Sequence, residues 1–176
     1  MGNTNSAGAH ASPLFRQVSL PESITGAMYL HSMPGREEPL AATVHAVKSL
    51  GITRVLCLAP AHEITRKSPE YAKAIGSRSL PWHHDPLPIE DFGAPAEAAA
   101  FWRRADELAA FVRDGGNILV HCAAGKGRTG TFAVALCMRL GLSNPEATRL
   151  VDVAGSGPEV PEQVAFLLAD PPRELA

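Results

Sequence analysis

Two reactive side chains, Cys122 and Arg128, are separated by five small or basic residues in the segment HCAAGKGRTG. Gly125 and Gly127 allow backbone N–H groups to turn inward without a Cβ clash. Inward N–H groups beside a helix N-terminus bind anions, and an arginine can grip two phosphate oxygens at once. The same positive field favours the thiolate form of Cys122. The spacing therefore predicts a thiolate nucleophile at the base of a phosphate-binding loop, residues 122–128.

Other interpretations fit parts of this segment. A nucleotide-binding loop needs Gly-x-x-x-x-Gly-Lys-Ser/Thr, but Val120 stands at the first glycine position and Gly127 at the hydroxyl position. The dinucleotide fingerprint is matched by Gly125, Gly127 and Gly130. That fingerprint also needs a second strand ending in an acidic residue, whereas residues 142–153 have a helical pattern. An inert glycine turn would give no role to the lysine and arginine.

Cleavage of a phosphate ester needs an acid that protonates the leaving oxygen. The upstream segment HHDPLPIEDFGAP contains three candidates, Asp85, Glu90 and Asp91. It is rich in proline and turn residues, so we predict a loop. Asp91 lies 31 positions before Cys122, just ahead of a predicted helix. The choice between neighbouring carboxylates depends on geometry, and Asp85 is predicted to be a solvated loop carboxylate.

Composition limits the class of protein. A chain of 176 residues with 45% hydrophobic residues favours one folded domain. A net charge of -2 gives no sign of a nucleic-acid partner. The three cysteines, Cys57, Cys122 and Cys137, are too few for a disulfide scaffold and suit a reducing cytoplasm. We therefore predict a cytoplasmic protein.

The first residues, MGNTNSAGAHASP, are small and polar and lack the regions of a secretory signal. Gly2 and Ser6 match the myristoylation pattern, but a polar tail is the favoured interpretation. No apolar run approaches the ~20 residues needed to span a bilayer, so stable membrane association is not expected. We predict a flexible tail at 1–13, a catalytic domain at 14–170 and a C-terminal tail at 171–176.

Apolar runs indicate the strands that position the loop. TRVLCLA at 53–59 and NILVH at 117–121 are continuous apolar runs typical of buried strands. Weaker strand patterns surround Val18, 28–30 and 78–83.

Helical patterns separate these strands. FAVALCMRL at 132–140 is apolar on nearly every side and predicts a central buried helix. The other helical segments are 39–50, 95–112, a short helix within 62–75, a segment starting at Pro161, and a segment with Asn144 as its N-cap and Pro145 in its first turn. The alternation predicts an α/β domain with a central, mostly parallel sheet and helices on both faces. Ligands of such sheets bind beyond the carboxyl ends of the strands.

The segment HCAAGKGRTG resembles the signature His-Cys-x5-Arg-Ser/Thr of the protein tyrosine phosphatase superfamily. GITRVLCLA, WHHDPLPIEDFGAP and GSGPEVPEQVAFL resemble its dual-specificity branch, in particular the kinase-associated phosphatases that act on cyclin-dependent kinases. The resemblance covers roughly residues 20–168. It implies a cysteine-dependent phosphatase without metal or organic cofactor, acting through a phosphocysteine intermediate. The implied substrates are phosphorylated proteins, with phosphotyrosine first and phosphoserine or phosphothreonine as further candidates.

The resemblance also implies roles for individual residues. Cys122 is the nucleophile, Thr129 donates to its sulfur, and His121 supports the loop. The movable acid loop of the family aligns best with IEDFGAP, which makes Asp91 the general acid. Glu90 stands where many relatives have proline and is a partial substitute. Phosphate is bound by the Arg128 side chain and the backbone amides of Ala123, Ala124, Gly125, Lys126, Gly127 and Arg128.

Two positions depart from the family pattern. The glutamine that orients water in many members matches either Glu159 or Gln163, so the water-positioning residue stays open; Gln163 is equally typical of an exposed helix residue. Lys126 resembles a loop lysine of the phosphoinositide 3-phosphatase tumour suppressor, but Ala123 replaces that protein's second lysine. A phosphoinositide substrate is therefore the alternative rather than the favoured one.

Two smaller motifs have separate interpretations. His83, His84 and Asp85 lack the fourth ligand of a zinc site, so no metal is predicted. Cys137 is interpreted as a core residue. Cys57 ends a predicted strand beside NILVH, and a reversible disulfide with Cys122 is a hypothesis that the resemblance suggests.

Two rival functions account for fewer of these residues than a phosphatase does. A non-catalytic phosphate-binding module would keep Arg128 but lose the acid or the nucleophile, and Cys122, Asp91 and Thr129 are all present. A sulfurtransferase or arsenate reductase has no need of an upstream acid or of arginine at this spacing.

Overall fold

The computed structural model describes residues 13–169. The predicted tails, apart from Pro13, therefore lie outside the described residues. Within that range, no helix is both long and apolar enough to cross a bilayer.

Five strands form one sheet in the order β1-β2-β5-β3-β4. Their bounds are Arg16–Gln17 (β1), Ala27–His31 (β2), Ile52–Cys57 (β3), His83–Pro86 (β4) and Asn117–His121 (β5). Only β1 pairs antiparallel to its neighbour in this part of the chain, and all other pairs are parallel. The predicted mostly parallel sheet is confirmed.

Seven helices cover the two faces of the sheet in the described part of the chain. They are Leu40–Ser49 (α1), Ala61–Lys67 (α2), Pro69–Gly76 (α3), Ala98–Arg113 (α4), Gly127–Arg139 (α5), Asn144–Val153 (α6) and Pro161–Leu168 (α7). One apolar cluster packs α4 to α7 against side chains such as Ile118 and Val120 of β5. The other packs α1, α2 and α3 against Val55 of β3 and Leu119 of β5. Alternate residues of a strand face opposite sides, so β5 contributes to both clusters.

The predicted central helix is confirmed, because every residue of α5 is buried. The start of α6 differs by one residue from the prediction. Ser143, not Asn144, is the N-cap, and it forms a capping box with Glu146.

The prediction of a strand at 78–83 is wrong. Arg78 has a positive φ of 54°, which ends regular structure there, and β4 begins only at His83, the last residue of the predicted range. The prediction of one short helix within 62–75 is also wrong, because α2 and α3 both lie there. Ser68 separates them, and Pro69 begins α3.

Asp85 is not the solvated loop carboxylate that the sequence suggested. It lies in β4 and is 3% exposed. Arg54 donates to both of its oxygens at 2.8 and 2.9 Å, and Arg104 adds a third bond at 2.7 Å. These bonds join β3, β4 and α4. The partners of Asp85 are therefore structural and do not belong to the 122–128 loop.

The carboxyl ends of β3, β4 and β5 lie at one edge of the sheet, because these strands are parallel. Three segments leave this edge: α2 after β3, the 87–97 loop after β4, and the 122–128 loop after β5. Side chains on these segments therefore meet.

Candidate active site

Cys122 directly follows β5 and is 2% exposed. The Gly125 N–H donates to its sulfur at 3.3 Å, so the 122–128 loop bends back over the thiol. Gly125 has a φ of 68°, and a Cβ there would lie 2.4 Å from the His31 carbonyl oxygen. Glycine is thus required at this turn. The loop then continues into α5, whose N-terminal N–H groups favour an anion.

Arg128, in the first turn of α5, is 3% exposed. Its Nη1 donates to Glu63 Oε2 at 2.7 Å and to the Ile89 carbonyl at 2.9 Å. Its Nη2 donates to Glu63 Oε1 at 3.1 Å and to Asp91 Oδ1 at 3.0 Å. The guanidinium is therefore fixed by α2 on one side and by the 87–97 loop on the other.

Glu63 is the partner that sequence reasoning missed. Its side chain is 3% exposed and also accepts from Lys67 at 2.7 Å. Burial raises the pKa of Glu63, but the hydrogen bonds from Arg128 and Lys67 outweigh it and lower the pKa to about 2. Burial lowers the pKa of Arg128. The hydrogen bond to Glu63 and the charges of Cys122, Glu63 and Asp91 together outweigh burial, so the pKa is raised. Both groups are charged at neutral pH. The signal available in the sequence was an acidic residue soon after a buried strand of the parallel sheet.

His121 supports the loop through a buried chain of hydrogen bonds. Its Nδ1 lies 2.9 Å from the Cys122 carbonyl, and its Nε2 lies 3.0 Å from the Tyr71 hydroxyl. A carbonyl only accepts, so Nδ1 carries the hydrogen and Nε2 accepts from Tyr71. Burial lowers the pKa of His121 to about 3, and the ring is neutral. Tyr71 was not identified from sequence.

The 87–97 loop brings Asp91 to the site. The Asp91 side chain is 53% exposed while its Oδ1 contacts Arg128. Glu90 is exposed, and its backbone carbonyl accepts from the Gly93 N–H at 2.8 Å. Of the three acidic candidates, Asp91 is the one whose carboxylate contacts Arg128.

Gln163 is 1% exposed, so it is not the exposed helix residue that one interpretation of its position gave. Its Nε2 donates to the Gly93 carbonyl at 2.9 Å, and its Oε1 accepts from the Glu159 N–H at 2.8 Å. The side chain thus connects the 87–97 loop with the residues before α7. The carboxylate of Glu159 accepts from the Gly127 N–H at 2.9 Å, which brings it onto the 122–128 loop.

Thr129 and Lys126 differ in their surroundings. The Thr129 hydroxyl is buried and has no hydrogen-bond partner among residues 13–169. Lys126 Nζ donates to the Gly155 carbonyl at 2.8 Å, which turns its charge toward the segment before α7.

Arg16, at the start of β1, contacts the 122–128 loop, which was not predicted from the sequence. It donates to the Gly125 carbonyl at 2.6 Å and to carbonyl groups at Ala154 and Gly155. Ser156 donates to the same Gly125 carbonyl at 2.6 Å. These bonds hold the outer side of the loop. Nothing in the local pattern around Arg16 indicates them.

All three cysteines are free. Burial raises the pKa of Cys57 to about 12, and its thiol donates to the Ala59 carbonyl at 3.6 Å. Cys57 pairs in register with His121, the residue before Cys122. The redox disulfide stays a prediction.

The chain is similar to known proteins over most of its length. Residues 25–167 match the family model described as Swiss Army Knife protein, DSP-PTPase phosphatase domain. Dual specificity protein phosphatase 26 of Bos taurus is 34% identical over 103 residues, which cover 58% of this chain and 46% of that protein. Cyclin-dependent kinase inhibitor 3 of Rattus norvegicus is 31% identical over 117 residues, covering 63% and 53%.

The chain thus spans about half the length of the curated relatives it matches. A crystal structure of kinase associated phosphatase with its catalytic cysteine replaced by serine shares the fold. Its TM-score is 0.75 at 18% identity, covering 89% of this chain and 93% of that one. Since the family model matches most of the chain, the protein belongs to the DSP-PTPase phosphatase domain family.

Proposed function

We propose that this protein hydrolyses phosphate monoesters, in the first place phosphotyrosine in proteins, through a phosphocysteine intermediate. The observation that carries the proposal is the contact between Asp91 Oδ1 and Arg128 Nη2, which are 3.0 Å apart. This contact lies beside the 122–128 loop, in which the Gly125 N–H donates to the Cys122 sulfur. A nucleophile, an anion clamp and an acid on three different segments thus meet at one edge of the sheet. This is the constellation that a two-step ester cleavage requires.

The substrate phosphate would bind to the inward amides of the 122–128 loop and to Arg128. One N–H of Nη2 and the Nε N–H lie on the same side of a guanidinium, so they form a second donor fork. Glu63 and Ile89 occupy the other donors. Asp91 holds the Nη2 donor of this fork. An incoming phosphate would replace Asp91 there and release its carboxyl group toward the leaving oxygen.

In the first step the Cys122 thiolate attacks phosphorus, and an S–P bond forms as the P–O bond to the leaving group breaks. Protonated Asp91 gives its proton to the leaving oxygen. In the second step water attacks phosphorus, Asp91 takes the proton from the water, and the S–P bond breaks. Inorganic phosphate and the free thiolate result. Thr129, with its unpartnered buried hydroxyl, would donate to the departing sulfur.

The contacts argue against Gln163 as the residue that orients that water. Both ends of the Gln163 amide are engaged, by Gly93 and by the Glu159 backbone. Glu159 instead carries a carboxylate on the surface of the 122–128 loop. Gln163 then acts by positioning the 87–97 loop.

The protein-substrate proposal rests on membership in the family and on similarity to two proteins whose names denote a dual specificity protein phosphatase and a cyclin-dependent kinase inhibitor. A phosphoinositide substrate is the alternative. It rests on Lys126, which is the basic residue of the 122–128 loop other than Arg128. That amine is bound to Gly155 rather than directed over the loop. The contact favours the protein substrate.

The test is hydrolysis of p-nitrophenyl phosphate, without added metal, by the wild type and Cys122→Ser. We expect vanadate-sensitive activity in the wild type and loss of at least about 1,000-fold in the variant. Activity retained in Cys122→Ser would show that another residue attacks phosphorus. Oxyanion binding without activity in the wild type would favour a non-catalytic phosphate-binding module.

A further inference from the structure

The carboxylate of Glu159 lies against the 122–128 loop. Its Oε2 accepts from the Gly127 N–H at 2.9 Å, and a Cβ at Gly127 would lie 2.4 Å from the same oxygen. Gly127 begins α5, where the N–H groups point out of the helix and attract negative charge. Its amide is also one of those expected to bind the substrate phosphate. The carboxylate therefore occupies a donor that the phosphate needs.

The two uses of this donor exclude each other. A backbone N–H carries a single hydrogen, so it gives its full bond to one acceptor at a time. A phosphate dianion beside an ionised carboxylate would also be repelled. Binding of phosphate must therefore move the Glu159 side chain or lose one amide bond.

The placement of Glu159 is supported by the buried side chain that follows it. Its backbone N–H donates to Gln163 Oε1 at 2.8 Å, and Gln163 is fixed to Gly93. Glu159 itself is exposed. A cleft of about 330 Å³ adjoins it, lined by Lys126, Asp152 and Glu159 together with residues 155–158. The cleft gives a displaced carboxylate room, with Lys126 as its cationic neighbour.

We propose that Glu159 is an internal competitor for the phosphate site and so a residue that determines how tightly this protein holds phosphate groups. The inference rests on the proposed function. The substrate displaces the carboxylate as it binds, using contacts beyond the phosphate. After hydrolysis, inorganic phosphate has no such contacts, and the returning carboxylate expels it. Glu159 thus weakens binding of free oxyanions and speeds product release.

The test measures binding of tungstate and of inorganic phosphate by calorimetry to the wild type, Glu159→Ala and Glu159→Gln. We expect Glu159→Ala to bind both anions about 10- to 100-fold more tightly, because the free energy of one charge-assisted hydrogen bond corresponds to a change in affinity of that size. Glu159→Gln keeps an acceptor but loses the charge, so a smaller gain is expected. Glu162→Gln, an exposed acid in the first turn of α7, is the matched control and should match the wild type.

Unchanged or weaker anion affinity in Glu159→Ala, with an unchanged melting temperature, would overturn the proposal. The Gly127 amide resonance gives a second readout, since it should shift in Glu159→Ala without anion and on adding tungstate to the wild type. Equal binding in all four proteins would contradict only the role of Glu159. Absence of binding in all of them would contradict the phosphate site itself, and with it the proposed function.

Discussion

The two carboxylate oxygens of Glu63 accept from Nη1 and Nη2 of Arg128 at 2.7 and 3.1 Å, in a fork between two side chains that are both 3% exposed. The pair joins α2 to the start of α5, and so places the guanidinium relative to the 122–128 loop. A buried arginine without its carboxylate would be an uncompensated charge. Glu63 is therefore expected to act through Arg128.

Glu63→Gln should lower both stability and activity. We expect the free energy of unfolding to fall by about 3 kcal/mol, because the neutral amide cannot compensate the buried guanidinium. We expect kcat/KM for p-nitrophenyl phosphate to fall at least about tenfold, mainly through a higher KM. Urea unfolding and steady-state kinetics measure the two effects. Glu70→Gln, on the exposed side of α3, is the control. A Glu63→Gln protein with wild-type stability and KM would contradict this role.

Asp91→Asn should remove the proton donor while leaving the nucleophile in place. For a phosphotyrosine peptide, whose leaving group needs a proton, we expect kcat to fall about 100-fold or more. For an aryl phosphate with a strongly acidic leaving group the loss should be much smaller. Glu90→Gln is the matched control because its carboxylate does not contact Arg128. Equal losses for both leaving groups would argue against Asp91 as the acid.

The sequence predicted those parts of the fold that depend on local patterns. NILVH, the helix FAVALCMRL and the turn at Gly125 each follow from apolar runs or from a backbone that needs glycine. Asp85 was misjudged because its burial depends on Arg54 and Arg104, which come from other elements. A strand as polar as HHDP becomes stable only when those partners are in place.

The contacts of the candidate site divide in the same way. Cys122 and Arg128 lie in one segment, so their spacing alone marked them as candidates. Glu63 meets Arg128 across 65 residues of sequence, and only the sheet topology brings them together. Gln163 was ambiguous for the same reason, since its partner Gly93 is 70 residues away.

Gln163→Met should loosen the 87–97 loop. Methionine fills similar volume but leaves the Gly93 carbonyl and the Glu159 N–H without partners. We expect the free energy of unfolding to fall by about 1–3 kcal/mol. Faster amide exchange in the 87–97 loop and a several-fold lower kcat, with little change in KM, should accompany it. Val164→Met, at an exposed neighbouring position, controls for the substitution itself. Wild-type exchange rates in Gln163→Met would show that the Gly93 bond does not hold the loop.

His121 should make the fold sensitive to mild acid. Its pKa is about 3 in the folded protein and 6.5 as the ordinary value, so below pH 6.5 the unfolded chain binds a proton that the folded chain does not. The free energy of unfolding should therefore fall with decreasing pH from about 6.5 toward 3, by up to ~1.4 kcal/mol per pH unit from this group. The lowered pKa of His84 acts in the same direction.

Glu63 adds a second phase at lower pH. Its pKa is about 2 in the folded protein and 4.5 as the ordinary value, so its contribution to stability is present above pH 4.5 and is lost as the pH falls toward 2.

Urea unfolding between pH 7.5 and 5 isolates the effect of His121 on stability. His121→Asn should be less stable at pH 7.5 but should show a shallower slope over that range. Exposed His45→Asn should keep the wild-type slope. An unchanged slope in His121→Asn would mean that other groups cause the acid sensitivity.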